Sequence, residues 1–146
     1  MTEYKLRNKV SVFVIISYSV LFLTVIIYNI VKGFDDEELV SIMGFLAPVT
    51  AVYIGGLIKY IVAHKNVVEE DADVVKEKKV TKMYVILTYW AIPLHFILLF
   101  LIINRAGINL FTFEQLKIYF VMVETAFGAY VGIIMGSLFK VDDSLK

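Results

Sequence analysis

Four long apolar runs, separated by polar segments, set the pattern of this chain. They cover about residues 10–31, 39–58, 83–103 and 118–139. A helix needs roughly 20 apolar residues to cross the hydrocarbon core of a bilayer. The runs are continuous, whereas the strands of a membrane barrel alternate apolar and polar residues. The pattern therefore predicts an all-α membrane protein with one domain, residues 1–146, whose four transmembrane helices form two tandem helical hairpins.

The composition agrees with a membrane protein and excludes several kinds of site. Hydrophobic residues make up 60% of the chain and charged residues 19%, against about 45–50% and about 25% in soluble domains. The chain has no cysteine and two histidines, which argues against a disulfide framework, a typical metal site and a cysteine nucleophile. Its 14 basic residues balance 14 acidic ones, so no net basic field favours nucleic acid. We expect neither enzymatic activity nor a cofactor.

The basic residues predict the orientation, because cytoplasmic segments of membrane proteins carry an excess of lysine and arginine. Eleven of them would share one side of the membrane with both termini and the central connection: Lys5, Arg7, Lys9, Lys59, Lys65, Lys76, Lys78, Lys79, Lys82, Lys140 and Lys146. Three would lie on the other side: Lys32, Arg105 and Lys117. We therefore expect a multi-pass protein of the bacterial inner membrane, with an uncleaved first span and both termini in the cytoplasm.

The two halves of the chain show a weak internal similarity. Residues 51–55, with the sequence AVYIG, align with residues 128–132, GAYVG, so that Tyr53 matches Tyr130. The first and third spans align less well, through Tyr18 and Tyr89. This similarity suggests a duplicated two-helix unit and marks the second and fourth spans as equivalent packing elements.

Small residues recur at every fourth position of two spans. They are Gly128, Gly132 and Gly136 in the fourth span and Ala47, Ala51 and Gly55 in the second. Residues four apart share one helix face, where missing side chains let another backbone approach closely. The two rows are candidate packing seams, either within one four-helix bundle or between subunits.

Two ionisable side chains fall inside the predicted spans. Glu124 lies six residues from Ile118, about 9 Å along a helix, and His95 lies eight residues from Ile103, about 12 Å. A carboxylate at such depth is costly and usually faces a protein interior or a watery cavity. We expect Glu124 and His95 to pair, either as a hydrogen bond that sets helix register or as an ion-binding, proton-sensing or pore-lining group.

Pro48 and Pro93 each lie inside a span. A proline removes one backbone donor and can kink a helix, and neighbouring helices make this tolerable in membranes. We expect kinks at both positions, and Pro93 lies close enough in sequence to His95 to affect the space around it.

The central connection, residues 64–82, is the one sizeable polar segment. Acidic residues, including Glu69 and Glu70, precede a cluster of lysines: Lys76, Lys78, Lys79 and Lys82. Without proline or glycine between Leu57 and Lys82, the second helix is expected to project into the cytoplasm. The segment either follows the lipid headgroups through its lysines or docks a soluble cytoplasmic protein through Lys76, Lys78, Lys79, Glu69 and Glu70.

Three functions fit these features. The first is a homo-oligomeric pore or membrane-sensing subunit, which in its organisation resembles small membrane components of bacterial phage-defence systems. The second is an intramembrane immunity protein against a bacteriocin or toxin, similar in size and membrane content to the immunity proteins of pore-forming colicins. The third is a small dimeric transporter. The likenesses concern organisation alone, which does not determine function.

The docking interpretation predicts that reversing Lys76, Lys78 and Lys79 to glutamate abolishes capture of a soluble partner, because the charges that meet the partner change sign. Affinity purification from the host membrane measures the capture. The reversal also weakens the orientation signal, so cysteines introduced at Leu110 and Ser144 must react with impermeant maleimide as they do without the reversal. Undiminished capture would show that these lysines are not the docking surface.

Overall fold

The computed structural model describes residues 2–63 and 80–139, and these residues form four long helices. The first three are α1, Glu3–Ile30; α2, Asp36–Ala63; and α3, Lys82–Gly107. The fourth runs from Phe113 to Leu138 and consists of α4, Phe113–Val123; a π-helical turn, Glu124–Gly128; and α5, Ala129–Leu138. All four are long and apolar enough to cross a membrane. The predicted all-helical fold with four membrane-length helices is confirmed.

The helices extend beyond the predicted apolar runs, mostly by whole turns that carry charge. α1 begins at Glu3, whose carboxylate pairs with Arg7 one turn later. α4 begins at Phe113, where Thr112 caps the helix and Gln115 returns a hydrogen bond to the Thr112 backbone. Charged and capping residues interrupt a hydrophobic run, but their backbone can still be helical. Their polar side chains reach water or hydrogen-bond the helix end. Glu124 and His95 therefore lie further from the helix ends than the apolar runs suggest.

The two described connections, residues 31–35 and 108–112, have the same backbone geometry. Each preceding helix ends in a Schellman motif at a residue with positive φ, Lys32 at 61° and Asn109 at 59°. Each following helix begins with a capping box, from Asp35 and Thr112 respectively. Helix ends that satisfy their free carbonyl and N–H groups in this way stop and restart within five residues.

The matching connections correct the register of the internal similarity. They are displaced by 77 positions, and the same displacement carries Tyr53 onto Tyr130, as the sequence similarity suggested. It carries Tyr18 onto His95, and not onto Tyr89. Tyr18 is 1% exposed whereas Tyr89 is 42% exposed, so the alignment of Tyr18 with Tyr89 was wrong. Short apolar matches between membrane helices occur readily in several registers, because few residue types are used.

Side chains of all four helices fill the interior. α1 contacts α2 and α3, and α3 also contacts α4. α1 contributes one stripe of residues spaced three or four apart, which is the face that a helix presents to its neighbours: Leu6, Val10, Val14, Tyr18, Leu21 and Val25. Large apolar side chains also cover the outside, among them Val52, Trp90 and Ile133. An apolar surface of this kind suits a lipid environment.

The two connections lie at the same end of the bundle, here called the connection end. Tyr28 of α1 donates a hydrogen bond from its hydroxyl to Asn104 Oδ1 of α3 at 2.8 Å. Gly107 lies directly beneath the Tyr28 ring, so that a Cβ added at Gly107 would meet ring carbons Cδ1 and Cδ2 at 2.6 Å. The carbonyl oxygen of Gly107 also contacts Gly33 in the first connection. Close packing at this end thus depends on Gly107.

Gly107→Ala is expected to lower the free energy of unfolding by about 1–3 kcal/mol, because the new methyl group collides with the Tyr28 ring. SDS titration followed by circular dichroism in mixed micelles measures the change. Gly56→Ala is the control, since a Cβ at Gly56 meets nothing within 4 Å. An equal effect of the two substitutions would contradict this account of the connection end.

Candidate functional site

The two ionisable residues of the spans lie near the middle of the bundle. Glu124 is eleven residues from Phe113, about 16 Å along the helix, and His95 is twelve residues from Gly107, about 18 Å. The distances of about 9 and 12 Å were counted from the ends of the apolar runs, which lie inside the ends of these helices. Both side chains therefore lie near the middle of their helices.

Glu124 and His95 are in direct contact. His95 Nε2 lies 3.0 Å from Glu124 Oε1. The His95 side chain is 0% exposed and that of Glu124 is 18% exposed. Within the described ranges, His95 Nδ1 has no hydrogen-bond partner. The tautomer with its proton on Nε2 donates to the carboxylate and leaves only a lone pair unpaired on Nδ1, which costs less than burying an unpaired N–H.

Two tyrosines complete the surroundings of the carboxylate. Tyr18 of α1 is buried, and its hydroxyl has no partner among the described residues. Tyr53 of α2 donates a hydrogen bond to the carbonyl of Gly128 at 2.9 Å. The centroids of the Tyr18 and Tyr53 rings are 6.2 Å apart. Each of the four helices thus brings one titratable side chain to the same place, here called the polar centre: Tyr18, Tyr53, His95 and Glu124.

Tyr18 and Tyr53 are the residues of the polar centre that the sequence pattern did not mark as site residues. The Tyr18 ring packs edge-on against Phe96, with centroids 4.8 Å apart, and lies 6.2 Å from the Tyr53 ring. The internal similarity could have identified Tyr18, since a displacement of 77 positions relates it to His95. The sequence similarity, however, aligned Tyr18 with Tyr89, and only the two connections gave the displacement of 77.

The π-helical turn begins at Glu124. It widens the helix over residues Glu124–Gly128, between the regular helices α4 and α5. A π-turn inside an α-helix is uncommon and is found frequently at functional sites. The Glu124 side chain lies against Gly128, where an added Cβ would be 2.8 Å from Oε2. Gly128 therefore gives the carboxylate its space.

The predicted glycine seam of the fourth span does not act as one surface within the chain. Gly128 faces the Glu124 carboxylate, and a Cβ at Gly132 would meet the Tyr53 hydroxyl at 3.9 Å. Gly136 is exposed, and a Cβ there would meet nothing within 4 Å. The three glycines thus have three different surroundings.

The small residues of the second span face outwards. Ala47, Ala51 and Gly55 are all exposed, and a Cβ at Gly55 would meet nothing within 4 Å. The described part of the chain does not use this row to pack its own helices. A seam between subunits at these three residues stays a prediction.

Both prolines lie within continuous helices. Pro48 is an exposed residue of α2, and Pro93 is a half-buried residue of α3. The proposed docking residues of the central connection, Glu69, Glu70, Lys76, Lys78 and Lys79, lie outside the described residues.

A groove opens sideways from the polar centre to the outside of the bundle. It is largely open, has a volume of about 320 Å³ and is lined by six residues from α2, α4 and the π-turn: Phe45, Val49, Phe120, Val121, Glu124 and Thr125. We call it the lateral groove. Glu124 therefore belongs to both the polar centre and the groove.

Residues 2–63 and 80–139 hold no group of three or more His, Asp or Glu side chains placed to bind a metal ion. Comparison of the sequence with protein-family models and curated proteins, and of the fold with solved structures, finds no match. Function therefore has to be argued from the polar centre and the surfaces of this chain alone.

Gly128→Ala is expected to move the Glu124 carboxylate away from His95, because the new methyl group would overlap Oε2. The flexible carboxylate yields easily, so the effect should appear in the geometry of the pair more than in stability. The ¹⁵N chemical shift of His95 Nε2 reports the change. Gly132→Ala, where a Cβ has an ordinary contact of 3.9 Å, should leave the shift as it is; an unchanged shift in Gly128→Ala would contradict the role assigned to this glycine.

Proposed function

We propose that the protein is a homo-oligomeric membrane subunit, a pore or membrane sensor, in which the Glu124–His95 pair is the ion- or proton-responsive group. The observation that carries the proposal is the 3.0 Å contact between these two side chains in the middle of the bundle. A carboxylate at this depth raises the energy of the folded protein. The contact with His95, the π-helical turn and the space left by Gly128 are consistent with a functional position.

The proposed orientation has both termini and the central connection in the cytoplasm, with the two helix pairs as tandem hairpins in the inner membrane. It rests on the distribution of eleven basic residues against three along the sequence. The position of both short connections at one end of the bundle is consistent with it, because the Tyr28–Asn104 hydrogen bond and the Gly33–Gly107 contact join α1 and its connection to the end of α3.

Assembly is part of the proposal because a single bundle is filled with side chains. A conducting path would then have to run between copies. The outward row of Ala47, Ala51 and Gly55 supports such an assembly, since helices associate in lipid through small residues that let backbones approach. A soluble partner at the central connection, as in a phage-defence system, is a further element of this proposal.

The same outward row supports a second candidate, an immunity protein that binds the helix of a toxin inside the membrane. A surface suited to helix packing accepts either another copy or a foreign helix. Native mass spectrometry separates the two: a discrete oligomer favours the pore or sensor, and a monomer that protects cells from one toxin favours the immunity protein.

The pore proposal predicts that Glu124→Gln alters ion selectivity or gating, because it removes the one carboxylate at the polar centre and keeps its shape. Currents across planar bilayers containing the purified protein measure the reversal potential and open probability. Glu114→Gln is the matched control: Glu114 is exposed at the start of α4, where it pairs with Lys117 at 2.6 Å. Identical currents from the wild type and Glu124→Gln would remove Glu124 from any conducting path.

A further inference from the structure

The lateral groove joins an apolar wall to a carboxylate. Phe45 and Phe120 face each other across α2 and α4 with ring centroids 5.8 Å apart and planes inclined by 32°. Val49 and Val121 extend this wall, and Glu124 and Thr125 supply its polar atoms. Sites for small organic ligands are typically concave, about 300–1,000 Å³ in volume, and mostly apolar with a few polar groups. The groove, at about 320 Å³, lies at the small end of that range.

Among the described residues, His95 is the one basic side chain that pairs with Glu124. Its Oε1 contacts His95, and an imidazole with its proton on Nε2 donates a hydrogen bond without carrying charge. The Lys–carboxylate and Arg–carboxylate pairs of residues 2–63 and 80–139 involve Glu114 and Glu3, not Glu124. Beside a neutral His95, a cation in the groove would supply the charge that balances an ionised Glu124.

The aromatic rings point to the same ligand chemistry. A cation placed over the face of a phenylalanine is attracted by the ring electrons, more strongly when water is excluded. Phe45 is exposed beside Glu124 in the lining of the groove, whereas Phe120 is buried and packs against the Phe45 ring. An apolar body can therefore lie along the wall while a positively charged nitrogen reaches Glu124.

We propose that the lateral groove binds a hydrophobic ammonium compound that enters from the bilayer, with Glu124 as its counter-ion. The inference deepens the proposed function, because it assigns a ligand class to the same carboxylate and rests on Glu124 being a functional group. Ligand entry is lateral: the groove opens on the outside of the bundle, where Val121 is among the exposed apolar residues.

The groove stays accessible when copies assemble through the row of small residues. At about 100° per residue, positions 47, 51 and 55 lie roughly 140° around α2 from positions 45 and 49. A second copy packed on Ala47, Ala51 and Gly55 therefore covers a different side of α2. Assembly and ligand binding use separate surfaces of one helix.

The test measures binding of 4-phenylbutyl-trimethylammonium, whose charge does not change with pH, to the full chain in lipid nanodiscs by equilibrium dialysis. Protein-free nanodiscs correct for partition into lipid. We expect saturable binding to the wild type and at least tenfold weaker binding to Glu124→Gln. Val49→Trp, which fills the groove, should also bind at least tenfold more weakly. Ile61→Trp should bind as the wild type does, because Ile61 is exposed on another side of α2, at least 120° around the helix from positions 45 and 49.

Absence of saturable binding to the wild type, or equal binding by the wild type and Glu124→Gln, would overturn the proposal. If Glu124→Gln does not fold, as judged by circular dichroism and gel filtration, the comparison of Val49→Trp with Ile61→Trp decides it. Failure of the proposed pore function would give a different combination of results. A protein that binds the probe and passes no ions supports the groove and contradicts the pore, whereas one that conducts without binding the probe contradicts only the groove.

Discussion

The cost of placing a carboxylate in the middle of a membrane bundle governs the structure around it. Glu124 receives a hydrogen bond from His95, and Gly128 leaves room for its second oxygen. The helix widens into a π-turn at this point, and Tyr53 of α2 donates to the Gly128 carbonyl. A polar group away from water is costly unless it is hydrogen-bonded. The surroundings of Glu124 therefore involve all four helices and not one.

The repeated architecture explains how the helices meet at one level. Both described connections end one helix and start the next with the same motifs, so each half of the chain restarts in the same register. Tyr18 and His95 are equivalent positions of the two halves, and both lie in the core. The halves differ in chemistry at that position: one carries a phenol and the other an imidazole, and the imidazole contacts Glu124.

The faces of α2 carry different roles in the proposed mechanism. One face packs in the core, a second lines the lateral groove through Phe45 and Val49, and a third presents Ala47, Ala51 and Gly55 to the outside. In lipid no hydrophobic force pulls helices together, so association depends on shape and on polar contacts. A small-residue row that the chain does not use for its own packing is consistent with a partner helix, and its separation from the groove lets the proposed assembly and ligand site coexist.

Hydrophobic run length by itself determined the four helices, because a bilayer demands long continuous apolar segments with internally bonded backbones. It also singled out Glu124 and His95, since ionisable residues in such runs are rare. Run length could not determine helix ends, because Glu3 and Thr112 continue or cap a helix while interrupting an apolar pattern. Only the tertiary structure placed Tyr18 in the polar centre, widened the helix at Glu124 and turned Ala47, Ala51 and Gly55 outwards. Those features depend on how each helix is rotated about its axis, and nearly uniform apolar sequences leave that rotation to the packing of neighbouring helices.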